Sequence, residues 1–301
     1  MNYRHHYHAG NFADVVKHVL MLMLIQGMQR KDKGFLYLDT HSGRGRYDLL
    51  AAARGDTQER KPEWPEGVGR VWTAENPPAE ILRYRELVAA CNRGEGAAPA
   101  AGTDTGAPLD AASLRHYPGS PWLAQALARE QDRLFLCEKH PEEFEILRDE
   151  MSVARRATVQ QIDGYTALRA ALPPLEKRAL VLIDPPFEQQ DEFSKLAKGL
   201  AETLRRMQGA TVAVWYPLTE RARVEAFFDE IALLKLPPCW STELCVCGED
   251  GPLRMRGCGL LVINPPWKLD RQVEALLPWL CDTLAQEEGA QAALHWLVED
   301  K

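Results

Sequence analysis

Arg178-Ala179-Leu180-Val181-Leu182-Ile183-Asp184-Pro185-Pro186-Phe187 joins a short apolar run to an acid, two prolines and an aromatic ring. An uninterrupted run of this kind reads as a parallel strand buried on both faces. The carboxylate that ends it then sits at the carboxyl edge of an open α/β sheet, where such sheets bind ligands. Pro185 and Pro186 fix the backbone and remove two N–H donors. The strand end offers an acidic acceptor, bare carbonyls and the flat ring of Phe187. That set suits a planar base bearing an amino group.

The same pattern, an apolar run ending in a polar group or turn, recurs on both sides. Residues 35–39 end in Thr40-His41-Ser42-Gly43-Arg44-Gly45, residues 133–137 in Glu138, residues 158–162 in Asp163-Gly164, and residues 211–215 in Tyr216-Pro217. Helical patterns at 121–130, 142–151, 165–171 and 193–207 separate most of these strands, and 220–232 is a further helix. Such alternation predicts a parallel, doubly wound sheet. Residues 242–247 and 258–263 flank a turn-rich loop and read as an antiparallel hairpin at the sheet edge. The expectation is α/β: a seven-stranded, mostly parallel sheet with a terminal hairpin, the layout of Rossmann-like class I S-adenosylmethionine-dependent methyltransferases.

Asn11 is placed to cap an N-terminal helix with Asp14 in its first turn, and Phe12, Val15, Val16, Val19, Leu20, Met23 and Leu24 recur at helical spacing. Lys33-Gly34 is the expected end. The Met-rich 21–28 stretch reads as core filling. No strand is expected between Gly45 and Tyr117. Residues 81–91 look helical, 66–72 fit helix or strand, and 94–112 are so rich in Ala, Gly, Pro and Thr that a mobile loop is expected. Residues 46–117 thus read as a small, mostly helical insertion in a catalytic domain of 1–45 and 118–301.

The insertion also explains a displaced cofactor motif. A glycine-rich turn after the first strand is ordinarily followed about 20 residues later by an acid. Here the acid, Glu138, lies about a hundred residues past the turn, but only 18 past Ser120, where Pro118-Gly119-Ser120-Pro121 opens the delayed helix. Gly43 and Gly45 allow close backbone approach. The amides and hydroxyl near Ser120 suit a carboxylate at a helix start. Glu138 can accept two ribose hydroxyls, and Asp163 an adenine amine. Asp39, Glu138, Asp163 and Asp184 make four strand-end acids in register.

Other classes lose ground. The net charge of −7 argues against a general nucleic-acid binder, although the first fifty residues are basic. No apolar run is long enough for a membrane span, and the start lacks a signal-peptide pattern. Seven scattered cysteines without a CxxC pair suit reduced thiols and a cytoplasmic chain. Cys245, Cys247 and Cys258 lie close together but lack the ligand spacing of a zinc site. No phosphate loop, second GxG or hydrolase motif is present.

Asp184-Pro185-Pro186-Phe187 resembles the Asp/Asn-Pro-Pro-Tyr/Phe/Trp signature of amino-group methyltransferases. His8-Ala9-Gly10-Asn11, Lys17-His18, Phe35-Leu36-Tyr37-Leu38-Asp39-Thr40-His41, Tyr117-Pro118-Gly119-Ser120-Pro121 and Asn264-Pro265-Pro266-Trp267 extend the likeness over nearly the whole chain. Together they resemble the bacterial ribosomal RNA large-subunit methyltransferase J family, which methylates N6 of one adenine in 23S rRNA. The resemblance implies that His18, His41, Ser120, Glu138, Asp163 and Gly164 contact S-adenosylmethionine. It also implies that Asp184, Pro185 and Phe187 form the catalytic turn, without a metal, and that Tyr3 and Arg4 contact RNA. It implies a monomer acting on protein-free 23S rRNA or an early assembly intermediate. Phe187 replaces a common Tyr, and Arg44 in the glycine turn is expected to face solvent or RNA. A DNA adenine methyltransferase, a protein glutamine methyltransferase and a non-catalytic RNA-binding module are the alternatives. Asn264 follows an antiparallel strand, so its Pro-Pro turn is expected on the opposite sheet edge, as a structural feature.

Overall fold

The computed structural model describes residues 7–50, 61–94, 113–251 and 253–299. Tyr3, Arg4 and nearly all of the 94–112 loop lie outside them.

Strands β1 (Leu36–Asp39), β4 (Arg133–Cys137), β5 (Ala157–Gln160), β6 (Ala179–Ile183) and β7 (Thr211–Leu218) pair in parallel. β8 (Cys239–Cys245), β9 (Gly257–Ile263) and β10 (Gln291–Val298) complete an eight-stranded sheet in the order β10-β8-β9-β7-β6-β1-β4-β5. The expected count of seven missed β10. The β8–β9 hairpin is not at the edge either: β9 inserts between β7 and β8, and β10 covers the far side of β8. Strand order reverses at β1, with β4 on one side and β6 on the other. That switch point is where an open α/β sheet binds its ligand.

Two apolar layers sandwich the sheet. On one face lie α1 (Phe12–Gln29), α4 (Ser120–Leu127) and α9 (Leu269–Leu284), packed with Tyr37, Leu180 and Leu260. On the other lie α6 (Gly164–Ala171), α7 (Glu192–Arg206) and α8 (Arg221–Ala232), packed with Leu38, Val181 and Val214. α5 (Pro141–Glu150) runs between β4 and β5. Asn11 caps α1 through its side chain, which accepts from the Asp14 amide at 2.9 Å. The helix stops at Gln29, before the expected Lys33-Gly34. It is also not one-sided: all but Gln26 and Gln29 of its residues are buried, because α4, α9 and the insertion close over it.

In the insertion, 66–72 resolves as a 3-10 turn (Trp64–Glu66) followed by α2 (Val68–Thr73), and α3 spans Ala79–Asn92. The expectation of no strand there fails: β2 (Arg46–Asp48) and β3 (His116–Pro118) pair antiparallel and tie its two ends together. Val68, Val71, Ile81, Leu87 and Val88 share one core with α1. No described helix is long and apolar enough to cross a membrane.

Candidate active site

A cleft of 1380 Å³ opens at the carboxyl ends of β1, β4 and β6, between the start of α1 and the turn after β6. Asp184, Pro185, Phe187, His18, His41, Ser120, Glu138, Asp163 and Gly164 all line it. The topology therefore brings together every residue within the described chain that the resemblance assigns to the site, but not Asp39, the fourth strand-end acid.

Asp184 is held from α1. Lys17 Nζ lies 2.6 Å from Asp184 Oδ2 and 2.8 Å from Asp14 Oδ1, and Asp14 Oδ2 accepts from the Gly10 amide at 3.0 Å. The capped helix start places Asp14 and Lys17 one turn apart on one face, so the cap sets the aim of the ion pair. Burial opposes the Lys17 charge, but Asp14 and Asp184 outweigh it and hold its pKa well above the ordinary value. The sequence assigned neither residue a role in the site. Their signal was two charges three positions apart on an otherwise apolar helix.

The prolines lead into Phe187, whose φ of 50° is a left-handed value that a bulky side chain rarely adopts. Such a backbone costs of order 1–3 kcal/mol and persists where surroundings fix it. Here the ring is fixed by Phe193 at 5.0 Å and Trp215 at 5.8 Å between centroids. Trp215, also on the cleft wall, was not anticipated as a site residue.

On the other side of the switch point, Glu138 takes one backbone donor per oxygen, Gly43 at 2.9 Å and His140 at 2.7 Å. Burial pushes its carboxyl up, against those two bonds. Gly43 has a φ of 59°, and a Cβ there would lie 2.2 Å from the Tyr47 hydroxyl, so the turn requires glycine. Gly164 is required for a different reason: its Cβ would meet the Thr40 carbonyl oxygen at 2.1 Å. Asp163 caps α6 through the Thr166 amide at 3.1 Å and pairs with Lys139 at 3.2 Å. Burial raises its pKa, but those partners prevail and lower it. His41 bonds Thr40 Oγ1 at 2.8 Å and sits edge-on to Tyr165, and burial pushes its pKa down to about 4. His18 does not lie on a polar helix face. It is 2 % exposed, and its Nδ1 is 2.8 Å from the Tyr117 hydroxyl.

Three expectations change. Asp39 does not face the cleft with the other acids; it is fully buried and accepts from Ser120 Oγ at 2.6 Å and Tyr37 OH at 3.1 Å. Burial pushes its pKa up to about 6, against those bonds. The Ser120 hydroxyl is thereby committed to Asp39 rather than offered to a ligand. Arg44 is half-buried at the cleft and not a freely solvated cation: its Nε donates to Glu143 Oε2 at 2.8 Å. Asn264 lies on the opposite edge, as expected. Its Nδ2 donates to the Gln208 and Ala210 carbonyls at 2.8 and 2.9 Å, beside the start of β7. All seven cysteines are free, and the described residues hold no cluster of three metal-ligating side chains.

The family described as ribosomal RNA large subunit methyltransferase D, RlmJ, matches residues 32–298. The chain is 37% identical to ribosomal RNA large subunit methyltransferase J of Escherichia coli (strain K12) over 300 residues, covering 100% of both. It is 36% identical, again over 100% of both chains, to the protein of the same name from Haemophilus influenzae. The crystal structure of protein LPL1258 from Legionella pneumophila superposes with a TM-score of 0.81 at 33% identity, over 96% of this chain and 98% of that one. A match this long, joined to a strand-end Asp-Pro-Pro-Phe turn at the switch point, places the chain in the RlmJ family of ribosomal RNA large-subunit methyltransferases.

Proposed function

We propose that this protein transfers a methyl group from S-adenosylmethionine to the exocyclic N6 of one adenine in 23S rRNA. The observation that carries the reading is the Asp184-Pro185-Pro186-Phe187 turn, set at the carboxyl end of β6 with Asp184 held by Lys17.

The cleft suits the methyl donor. Glu138 keeps acceptor capacity beyond its two backbone bonds, because an ionised carboxylate has about four lone-pair sites. It is the residue to hold a ribose diol. Asp163 and Gly164 border the place for the adenine, with His41 and Tyr165 as its aromatic wall. When bound, S-adenosylmethionine supplies an electrophilic methyl group on a sulfonium, a leaving group that needs no metal.

The acceptor amine is a poor nucleophile, since its lone pair is delocalised into the ring. The ion pair with Lys17 presents Asp184 as an acceptor-only carboxylate. Lys17 occupies Oδ2, so Oδ1 is the oxygen for one amine hydrogen, and the Pro185 carbonyl takes the other. Two acceptors on the amine draw its lone pair out of conjugation and orient it. Asp184 Oδ1 also accepts the proton that the methylated nitrogen sheds, and acid–base and hydrogen-bond help of this kind is worth about 10² to 10⁴ in rate. Phe187 offers a stacking face worth about 1–3 kcal/mol to an unstacked base. The substrate is read as protein-free RNA or an early assembly intermediate, the enzyme as a cytoplasmic monomer, and Tyr3 and Arg4 as RNA contacts.

Incubating the purified chain with labelled S-adenosylmethionine, protein-free large-subunit RNA and duplex DNA separates the readings. Label is expected in RNA alone. Label in DNA alone would overturn the assignment.

A further inference from the structure

His18 on α1 meets the cleft on one side and the insertion on the other. Its Nδ1 is 2.8 Å from the hydroxyl of Tyr117, on β3, and that hydroxyl is 2.9 Å from the hydroxyl of Tyr84, on α3. The His18 and Tyr117 rings also stack, with centroids 5.5 Å apart and planes 27° from parallel. Both tyrosines are 0% exposed.

Burial raises the pKa of both phenols, so each keeps its proton and each must donate. In one arrangement Tyr84 donates to Tyr117 and Tyr117 donates to His18 Nδ1. Both phenol protons are then used, the imidazole is the final acceptor, and its own proton is left on Nε2, on the residue that lines the cleft. In the reverse arrangement His18 donates from Nδ1 to Tyr117, and Tyr117 donates to Tyr84. The Tyr84 proton then needs another acceptor, and none is found among the described residues. A buried donor left unpaired costs about 1–3 kcal/mol, roughly 5- to 150-fold in population. The forward direction wins. An imidazolium would donate from Nδ1 and strand the same proton.

We infer that Tyr117, backed by Tyr84, is a positioning residue that holds His18 as the neutral tautomer with its proton on Nε2. His18 then acts toward the cleft as a hydrogen-bond donor only. This deepens the proposed function and rests on it: the acceptor assigned to this donor is the carboxylate of the methyl donor. Ser120 cannot supply a hydroxyl proton to that carboxylate, because Asp39 takes it at 2.6 Å. Tyr84 and Tyr117 thereby contribute to the cofactor site although neither lines the cleft.

The test is ¹⁵N-histidine NMR of the full chain at neutral pH without cofactor, with His18 assigned by the signal missing in His18→Gln. The wild type and Tyr84→Phe are expected to show Nδ1 unprotonated and Nε2 protonated, because Tyr117 still donates in both. Tyr117→Phe is expected to move the ring toward an Nδ1–H mixture and to weaken S-adenosylmethionine binding about fivefold by calorimetry, the loss of one neutral hydrogen bond's orienting effect. Tyr117→Phe also strands the Tyr84 proton. The double variant Tyr84→Phe/Tyr117→Phe removes that penalty, so its stability is expected to recover while tautomer and affinity do not. Mere packing by the two rings would move neither reading. An Nδ1–H tautomer in the wild type, or a double variant that keeps both the Nε2–H tautomer and the affinity, overturns the inference. Because the nitrogen signals are read without cofactor, a wild type with the Nε2–H tautomer that fails to bind S-adenosylmethionine overturns the functional reading and the assigned acceptor, not the tautomer.

Discussion

Asp184 and Lys17 are 167 positions apart in the chain and 2.6 Å apart in the fold. That pair explains why the site was half legible from sequence. Asp184 could be read, because a strand followed by Asp-Pro-Pro-Phe announces both its place and its chemistry. Lys17 could not, since what fixes its role is the burial of α1 on every side, which only the finished packing provides. Asp39 shows the converse. Its strand-end position marked it as a site acid, yet Ser120 and Tyr37 turn it inward. Replacing Asp184 by Ala is expected to lower the single-turnover methyl-transfer rate by about 10²-fold or more while S-adenosylmethionine binding survives. Equal losses in both would show that Asp184 holds cofactor instead. His41 gives a pH signature. Its folded pKa of about 4 lies below the ordinary 6.5. Between those values the unfolded chain binds the proton and the folded chain does not, so stability falls as pH drops through that window. His41→Gln is expected to show a shallower fall in melting temperature from pH 6.5 down to about 4. The same slope in both proteins would contradict the assignment.

At the scale of elements, the parallel strands were legible because each is a short apolar run closed by a polar turn. The misreadings share a physical cause. β10 shows exposed and half-buried residues along its length, so it lacks the apolar run that marks a buried strand. β2 and β3 are three residues each, too short for any periodic signal, and exist because they pair with each other. The place of β9 between β7 and β8 is a matter of long-range pairing, which no local pattern encodes. Ending the chain before Gln291 is expected to lower the melting temperature and promote self-association, since β8 would become an open edge. An unchanged melting temperature would mean that β10 adds nothing to the sheet. The two Pro-Pro turns are separated by strand direction alone. Asn264 serves two carbonyls near β7 and has a φ of 49°, which Asn tolerates better than most residues. Asn264→Ala is expected to cost about 1–3 kcal/mol of stability, read by denaturant unfolding, and to leave methyl transfer near wild type. Loss of activity in a stably folded variant would move the catalytic turn to the other edge.

Across the whole molecule, the insertion read at residues 46–117 accounts for the displaced cofactor motif. It lengthens the path from the glycine turn to Glu138 to about a hundred residues, yet the fold closes that path to a 2.9 Å bond between Glu138 and the Gly43 amide. It also covers α1, which buries the charges that aim Asp184. A net charge of −7 fits an enzyme that takes one base into a cleft rather than one that coats RNA by charge alone. The chemical identity of the product base is therefore the deciding quantity. Large-subunit RNA incubated with the purified chain and S-adenosylmethionine can be digested to nucleosides and read by mass spectrometry. The expected result is one new methylated nucleoside, N6-methyladenosine, absent when Asp184→Ala replaces the wild type. A methyl group on a ring nitrogen, a ribose or another base, or N6-methyladenosine made equally well by Asp184→Ala, would contradict the assignment of the reaction to this cleft.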